Sequence, residues 1–499
     1  MAKSLSADDY RQMAAELTPR TQAFIGGQFV DAASGKTFAT VNPATGTVIA
    51  EIAECDAEDV NRAVALARAA FDDGRWSHQS PRNRKRVLLK LAELMRRDAQ
   101  HLALLETLDM GKPIAEALAV DVGSSANCVQ WYAEAVDKVY DEVSPSGPHA
   151  LGLITRDPIG VVACVVPWNF PLLMASWKIA PALAAGNSVI LKPAEQSPLT
   201  ALKLAELCAE AGLPEGVFQV LPGFGPTAGK ALGLHMDVDC LAFTGSTEVG
   251  KLFMQYGGQS NLKRVWLECG GKSPNVVLSD VADLDKAAFH AALGIFYNQG
   301  EVCTAASRLI VEDSVHDALL EKVIALGQAM QPGDPLDPAT KMGAIVDQRQ
   351  MQRVLGYIDQ GVREGGVLAL GGRQARVTSG GYFIEPTIFS GISNDMTIAR
   401  EEIFGPVLSV IRVKDADEAI RVANTCDYGL AACLWTRDVT KAHTLSRKLR
   451  AGSVWVNCWD GGDMTMPFGG FKQSGNGRDK SLHALDKYTE LKATWIDLT

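Results

Sequence analysis

Apolar positions fall into two rhythms along this chain. From Gly160 a continuous apolar run reaches Val166, and similar short runs recur at Ser188–Leu191, Gly216–Leu221 and Leu241–Phe243. Between them lie helical patterns over 172–185 and 198–211, after Pro226 and after Thr247. Strands apolar on both faces must be covered on both faces. The alternation therefore predicts an α/β fold with a doubly wound parallel sheet over 151–270, and a second strand–helix cycle over 271–470. Upstream, residues 20–55 read as short strands and turns around Gly26-Gly27, Asn42-Pro43 and Thr45-Gly46. Asp56 then caps a helix with Val60, Val64, Ala67 and Phe71 on one face, and Ser80-Pro81 opens another with Val87, Leu88, Leu91, Leu94 and Met95 inward. A third helical pattern runs from about 113 to 140. Gly152–Arg156 and Tyr488–Ile496 alternate like edge strands, for which another subunit is the expected partner.

At 499 residues the chain exceeds what one core holds, so two or three domains are expected. A formal charge of −10 argues against a nucleic-acid partner. The ten cysteines form no CxxC pair and no cluster with histidine at metal-ligand spacing. No disulfide framework and no metal site are expected, and a reducing, cytoplasmic setting is. Met1–Leu17 carries five charged residues and no apolar segment, unlike a secretory signal. The stretch 158–177 lacks charge, but Pro167, Asn169 and Pro171 interrupt it, which suits a buried strand and turn better than a membrane span.

The polar chemistry gathers where parallel strands end, the place where such sheets bind ligands. The successive strand ends carry Pro167-Trp168-Asn169-Phe170-Pro171, Lys192-Pro193-Ala194-Glu195, Pro222 to Gly229, and Thr244 to Gly250. Gly245-Ser246 ahead of a helix offers unhindered N–H groups to a pyrophosphate, and Gly223, Gly225 and Gly229 form a G-x-G-x-x-x-G run. Each alone reads equally as a tight turn; four in succession point to a bound dinucleotide. Glu268 follows apolar Val265-Trp266-Leu267 and precedes two glycines. It is either a carboxyl with a raised pKa, suited to general-base work, or a helix cap or ion-pair partner. Cys303 sits between an apolar helix and a β-branched strand and is followed by small residues; it is either an inert buried thiol or a nucleophile held for attack.

Together these segments resemble the aldehyde dehydrogenase superfamily from about residue 20 to the end. The resemblance rests on Pro167–Pro171, Lys192–Glu195, Gly223–Gly229, Phe243–Gly250, Leu267–Pro274, Gln299–Cys303, Glu402–Pro406 and Pro467–Gly477. It implies a Rossmann-type cofactor domain (1–140 and 159–270), an α/β catalytic domain (271–470) and a small β oligomerisation flap (141–158 and 486–499), assembled as a homo-oligomer, a dimer of dimers. It implies Cys303 as nucleophile, Asn169 with the Cys303 N–H as oxyanion hole, and Glu268 as the base that activates water. Val166, Trp168, Lys192, Glu195, Gly225, Gly229, Phe243, Gly245, Ser246, Val249, Glu402 and Phe404 would line the site for NAD. Glu195 disfavours a 2′-phosphate without excluding NADP. Cys269 stands where the family more often has leucine.

Asp460–Met464 and Gly477–Leu491 closely resemble bacterial γ-glutamyl-γ-aminobutyraldehyde dehydrogenases of putrescine breakdown. That likeness implies Asp121, Trp177, Tyr297 and Trp459 on the substrate side, with Asp121 either facing a cationic tail or merely solvated. Alternatives are a dehydrogenase for other ω-amino-, guanidino- or betaine-type aldehydes, a CoA-acylating enzyme of the same fold, a structural protein that has lost the chemistry, and a thiol amidase. Glu268 argues against the CoA-acylating reading, Asn169, Glu268 and Cys303 together against a structural protein, and the lack of a histidine motif against the amidase.

Overall fold

The computed structural model describes residues 5–499; Met1 to Ser4, the head of the segment read above as no secretory signal, lie outside the described residues. Ala7–Ala15 is a helix with a capping box between Ser6 and Asp9.

The first sheet has the strand order 264–269, 240–245, 161–165, 188–192, 218–220, 23–25, 28–30. The five strands from Val161 onward run parallel, and Ala23–Ile25 closes the far edge antiparallel to Phe218–Val220. The Gly26-Gly27 turn has φ of +62° and +82°, the left-handed pair that a two-residue hairpin requires. The order of strand addition reverses between the parallel neighbours Val161–Val165 and Cys240–Gly245: one is followed outward by 188–192, the other by 264–269. This switch point opens a crevice beyond the strand ends, between the Pro167–Phe170 segment and Gly245-Ser246.

Gly270-Gly271-Lys272-Ser273 connects this sheet to a second one, ordered 367–370, 387–390, 407–413, 308–312, 274–277, 431–435, 453–456. Only Val367–Leu370 is antiparallel there.

The third helical pattern breaks into pieces. Ile114–Glu116 leads into a π-helical turn, Ala117–Val122, and then Gly123–Ala135, ending short of the expected 140. The residue inserted at such a turn shifts helix facing, and periodicity alone does not reveal it. The strand expected at 216–221 is confined to Phe218–Val220, and Gly225–Gly229 is another π turn before the short helix Lys230–Leu234.

The two alternating stretches pair with each other. Thr489–Asp497 lies antiparallel to Ala150–Pro158 over nine residues, and Glu142–Ser144 adds a third strand. Thr489–Asp497 remains the outer edge, with Leu491 and Trp495 two-thirds exposed. Glu142–Ser144 forms the opposite, shorter edge. No helix of the described residues is long and apolar enough to cross a membrane.

Candidate active site

The helix Leu284–Phe296, capped by Asp283, delivers the chain to a strained turn before Cys303. Asn298 and Gln299 both hold left-handed backbone, φ +46° and +56°, a region that non-glycine residues seldom adopt. Side-chain bonds impose it. Asn298 Nδ2 donates to the carbonyls of Asn169 (3.2 Å) and Glu301 (3.1 Å). Gln299 Oε1 accepts from Gly343 N at 2.8 Å, and Glu301 Oε1 accepts from Val346 N at 3.1 Å. Gly300 is pressed against the backbone of Gly405, where any Cβ would collide. Asn169 Nδ2 donates to Glu301 O at 2.9 Å, so its amide is fixed beside the turn that presents the thiol and its second N–H stays available to an oxyanion. Cys303 is partly open. Burial pushes its thiol pKa up, and the carboxylates of Glu402, Asp460 and Glu268 push the same way. The resting group is the neutral thiol.

Glu268 lies near the end of the Arg264–Cys269 strand, 3 % exposed, with no hydrogen-bond partner on either oxygen among the described residues. Burial first, then Asp479, holds its pKa well above the usual carboxyl range; Lys178, Lys487 and Arg478 oppose them. The loop after Pro467 makes the room: a Cβ on Gly469 or Gly477 would stand 2.7 or 2.9 Å from Oε1. That loop is latched to the strand by Cys269 N to Ser474 O (2.8 Å) and by Gly477 N to Leu267 O (3.0 Å). Beneath it, Asp479 is buried between Lys178 Nζ (2.6 Å) and Lys487 Nζ.

The crevice at the switch point holds the other expected residues. Ser246 caps the helix Thr247–Gln259, accepting from Val249 N, and Val249 stands exposed on its first turn. Phe243 packs under Gly245, whose Cβ would lie 2.5 Å from that ring. Val166 N bonds Lys192 O at 3.1 Å. Lys192 is buried; its Nζ donates to Pro193 O at 2.9 Å and stands 3.8 Å from half-open Glu195, leaving donor capacity unused. Gly229 packs over Lys192, and around Gly225 a Cβ would meet nothing within 4 Å. On the opposite wall, Glu402 accepts from Gly271 N at 3.0 Å, with its pKa pushed up to about 7 by burial. Phe404, in left-handed backbone at φ +59°, meets Trp168 edge-on at 5.2 Å. A small pocket lined by Gly271, Val302, Glu402 and Phe404 among others lies beside the Cys303 turn. An open glycine cradle, a buried ammonium with spare donors and a capped helix start fit a dinucleotide. Gly223 does not belong with them: at φ +153° it packs against the Cys55 carbonyl, 2.6 Å from where a Cβ would stand.

The aldehyde dehydrogenase family profile matches residues 29–494. The chain belongs to the aldehyde dehydrogenase family. It is 52% identical over 489 residues to the NADP/NAD-dependent aldehyde dehydrogenase PuuC of Escherichia coli, covering 98% of each chain. Among solved structures, a γ-glutamyl-γ-aminobutyraldehyde dehydrogenase from Burkholderia cenocepacia matches with TM-score 0.98 and 60% identity over 99% of this chain and 100% of that one. An indole-3-acetaldehyde dehydrogenase complexed with NAD+ matches with TM-score 0.99 and 57% identity over the same shares.

Of the aromatic residues expected toward the substrate in this aldehyde dehydrogenase, Tyr297 stacks on Phe170 at 6.3 Å and meets Trp459 at 6.0 Å. Trp177 packs on Phe468 at 5.1 Å. Asp121 differs from its expectation: it is wholly buried in the π turn, and one oxygen binds Lys112 Nζ at 2.5 Å. Lys112 in turn lies over the Phe170 ring at 4.0 Å. The insertion that rotated the helix turned Asp121 onto that lysine, so its charge is already matched rather than presented to a substrate. Sequence reasoning passed over Asn298 and the Lys178–Asp479–Lys487 triad. Lys178 did carry a signal, as the first charge after twenty uncharged residues.

Proposed function

We propose that this aldehyde dehydrogenase oxidises γ-glutamyl-γ-aminobutyraldehyde to the corresponding acid with NAD, within putrescine breakdown in the cytoplasm, as a homo-oligomer built through the Thr489–Asp497 edge. The observation that carries the chemistry is the pairing of a part-open thiol at Cys303 with a buried carboxyl at Glu268 that binds nothing else. The Cys303 sulfur attacks the aldehyde carbon; its proton passes to solvent water as the carbonyl oxygen becomes an oxyanion. Asn169 Nδ2 and the Cys303 N–H receive that charge, typically worth several kcal/mol. When bound, NAD supplies the acceptor for the aldehyde's hydride, and a thioester remains on Cys303. Glu268, once ionised, takes a proton from water; the hydroxide attacks the thioester carbon and the Cys303 thiolate leaves. Ser246 would hold the pyrophosphate, Lys192 and Glu195 the adenosine ribose, Glu402 and Phe404 the nicotinamide side. A ribose 2′-phosphate would meet Glu195, which favours NAD over NADP.

Trp177, Tyr297 and Trp459 wall the aldehyde channel, and Asp121 positions Lys112 against Phe170. That aromatic lining also favours a broader reading, in which other ω-amino, guanidino or apolar aldehydes are accepted. The test is NADH formation by purified protein with γ-glutamyl-γ-aminobutyraldehyde, 4-guanidinobutyraldehyde, 4-aminobutyraldehyde and butanal, each with and without CoA. CoA-independent turnover that Cys303→Ala abolishes, highest in kcat/KM for the γ-glutamyl aldehyde, is the expected result. A requirement for CoA would sink hydrolysis by Glu268.

A further inference from the structure

Two opposite charges stand near the aromatic residues around Trp459 and Trp177, neither in an ion pair among the described residues. Asp460 follows Trp459, which belongs to the Tyr297 wall; its carboxylate is felt at both Cys303 and Tyr297. Lys480 lies on the other wall, its Nζ over the Trp177 ring at 5.7 Å, where Trp177 packs on Phe468. Each side chain feels the other's charge, yet among the described residues neither forms a side-chain hydrogen bond or ion pair. Nearby Asp463, whose charge Lys480 also feels, accepts from Thr465 N (2.8 Å) and Thr465 Oγ1 (2.6 Å) through Oδ1.

The spacing between the two charges is built in. Asp460 and Lys480 both occupy left-handed backbone, φ +56° and +59°, and Ser481 beside Lys480 does so at +50°. Conformations of this kind persist where surrounding structure imposes them. Here Ser481 N bonds Met464 O at 2.8 Å, and Phe468 and Asp479 exchange two backbone bonds of 2.7 Å, tying the segment after Asp460 to the one before Lys480. Trp455 Nε1 holds Gly461 O at 2.7 Å. Lys480 follows Asp479, which is pinned between two lysines. Asp460 is exposed and Lys480 half-buried, and the two do not close on each other as an ion pair.

We propose that Asp460 and Lys480 together recognise an α-amino-acid zwitterion at the far end of the aldehyde, Asp460 taking the ammonium and Lys480 the carboxylate. The inference rests on aldehyde oxidation at Cys303 and deepens the γ-glutamyl reading, because a γ-glutamyl tail ends in that pair of charges. Two specificity-determining residues, neither touching the reacting carbon, thereby rank substrates.

The test compares 4-(γ-glutamylamino)butanal with an analogue lacking the α-ammonium, 4-(glutarylamino)butanal, and one lacking the α-carboxylate, 4-(4-aminobutanoylamino)butanal. The wild type prefers the zwitterion to both. Asp460→Asn lowers kcat/KM for the zwitterion about tenfold relative to the glutaryl analogue, and Lys480→Met does so relative to the aminobutanoyl analogue, mainly through KM. Asp460→Glu and Lys480→Arg restore much of each preference and guard against loss through misfolding. A structural role would depress all three substrates together; an unchanged ratio in both variants overturns the clamp while leaving the γ-glutamyl reading intact. Absence of any zwitterion preference in the wild type overturns both.

Discussion

At the scale of single residues, the proposed chemistry depends on two groups whose resting protonation states are the less reactive ones. Cys303 begins as a thiol and Glu268 as a carboxylic acid, both chiefly because they are buried. Deacylation therefore gains as pH rises through the raised pKa of Glu268. Replacing Glu268 with glutamine is expected to stall the reaction after thioester formation: a burst of NADH near one equivalent, then turnover slowed about a hundredfold or more. Quenched-flow measurement of burst and steady rate decides this; an unaltered steady rate would place the base elsewhere. Glu402 gives a stability counterpart. Its folded pKa of about 7 exceeds the ordinary carboxyl value of 4.5, so its protonated form favours folding fully below about 4.5, and that contribution is gone above about 7. Glu402→Gln should abolish that loss, on the order of 3 kcal/mol between the two limits, in urea titrations of wild type and variant across pH. Glu195→Ser is expected to raise kcat/KM for NADP about tenfold or more while that for NAD falls, read in parallel initial-rate assays.

At the scale of elements, the site is held by contacts between segments far apart in the chain. Asp479 joins Lys178 of a buried helix to Lys487. Asp479→Asn leaves two buried ammonium groups with reduced compensation, and a loss of about 3–5 kcal/mol in urea unfolding is expected. A change under 1 kcal/mol would mean that the lysines find water or move. These contacts also explain what could be read from the residues. Strands Val161–Val165 and Ser188–Lys192 announced themselves as continuous apolar runs, and each functional group on a strand end followed from them. The π turn at Ala117–Val122 did not, because one inserted residue leaves composition unchanged while it re-aims Asp121 onto Lys112. The strain at Asn298 and Gln299 was equally silent, since its causes, Asn169, Gly343 and Gly405, are distant in sequence. Motif likeness supplied the expectation for Cys303 and Glu268; what local pattern lacked was the geometry that leaves Glu268 without a partner.

At the scale of the whole molecule, two parallel sheets share one short connection, and a three-stranded flap ends in an uncovered edge. Thr489–Asp497 presents unpaired backbone groups beside exposed Leu491 and Trp495. Edges of this length recruit other strands unless covered. Trp495→Glu together with Leu491→Lys is expected to shift the protein from an oligomer to monomers in light scattering coupled to size exclusion. Oligomers that persist unchanged would move the interface elsewhere.

The jammed turn at Gly300 also bears on how such an enzyme acquires new substrates. The segment that presents the sulfur has no slack, whereas Asp460–Asp463 is exposed and held by an indole bond from Trp455 and by Thr465 at its end. Reactive machinery and selective rim are thus separate inheritable parts. Random variation confined to 460–463 should yield catalysts with altered tastes and intact acyl chemistry, while equal variation across 297–302 should yield mostly inactive protein. Natural diversification of aldehyde choice has, in this architecture, a low-cost route that leaves the nucleophile where it is.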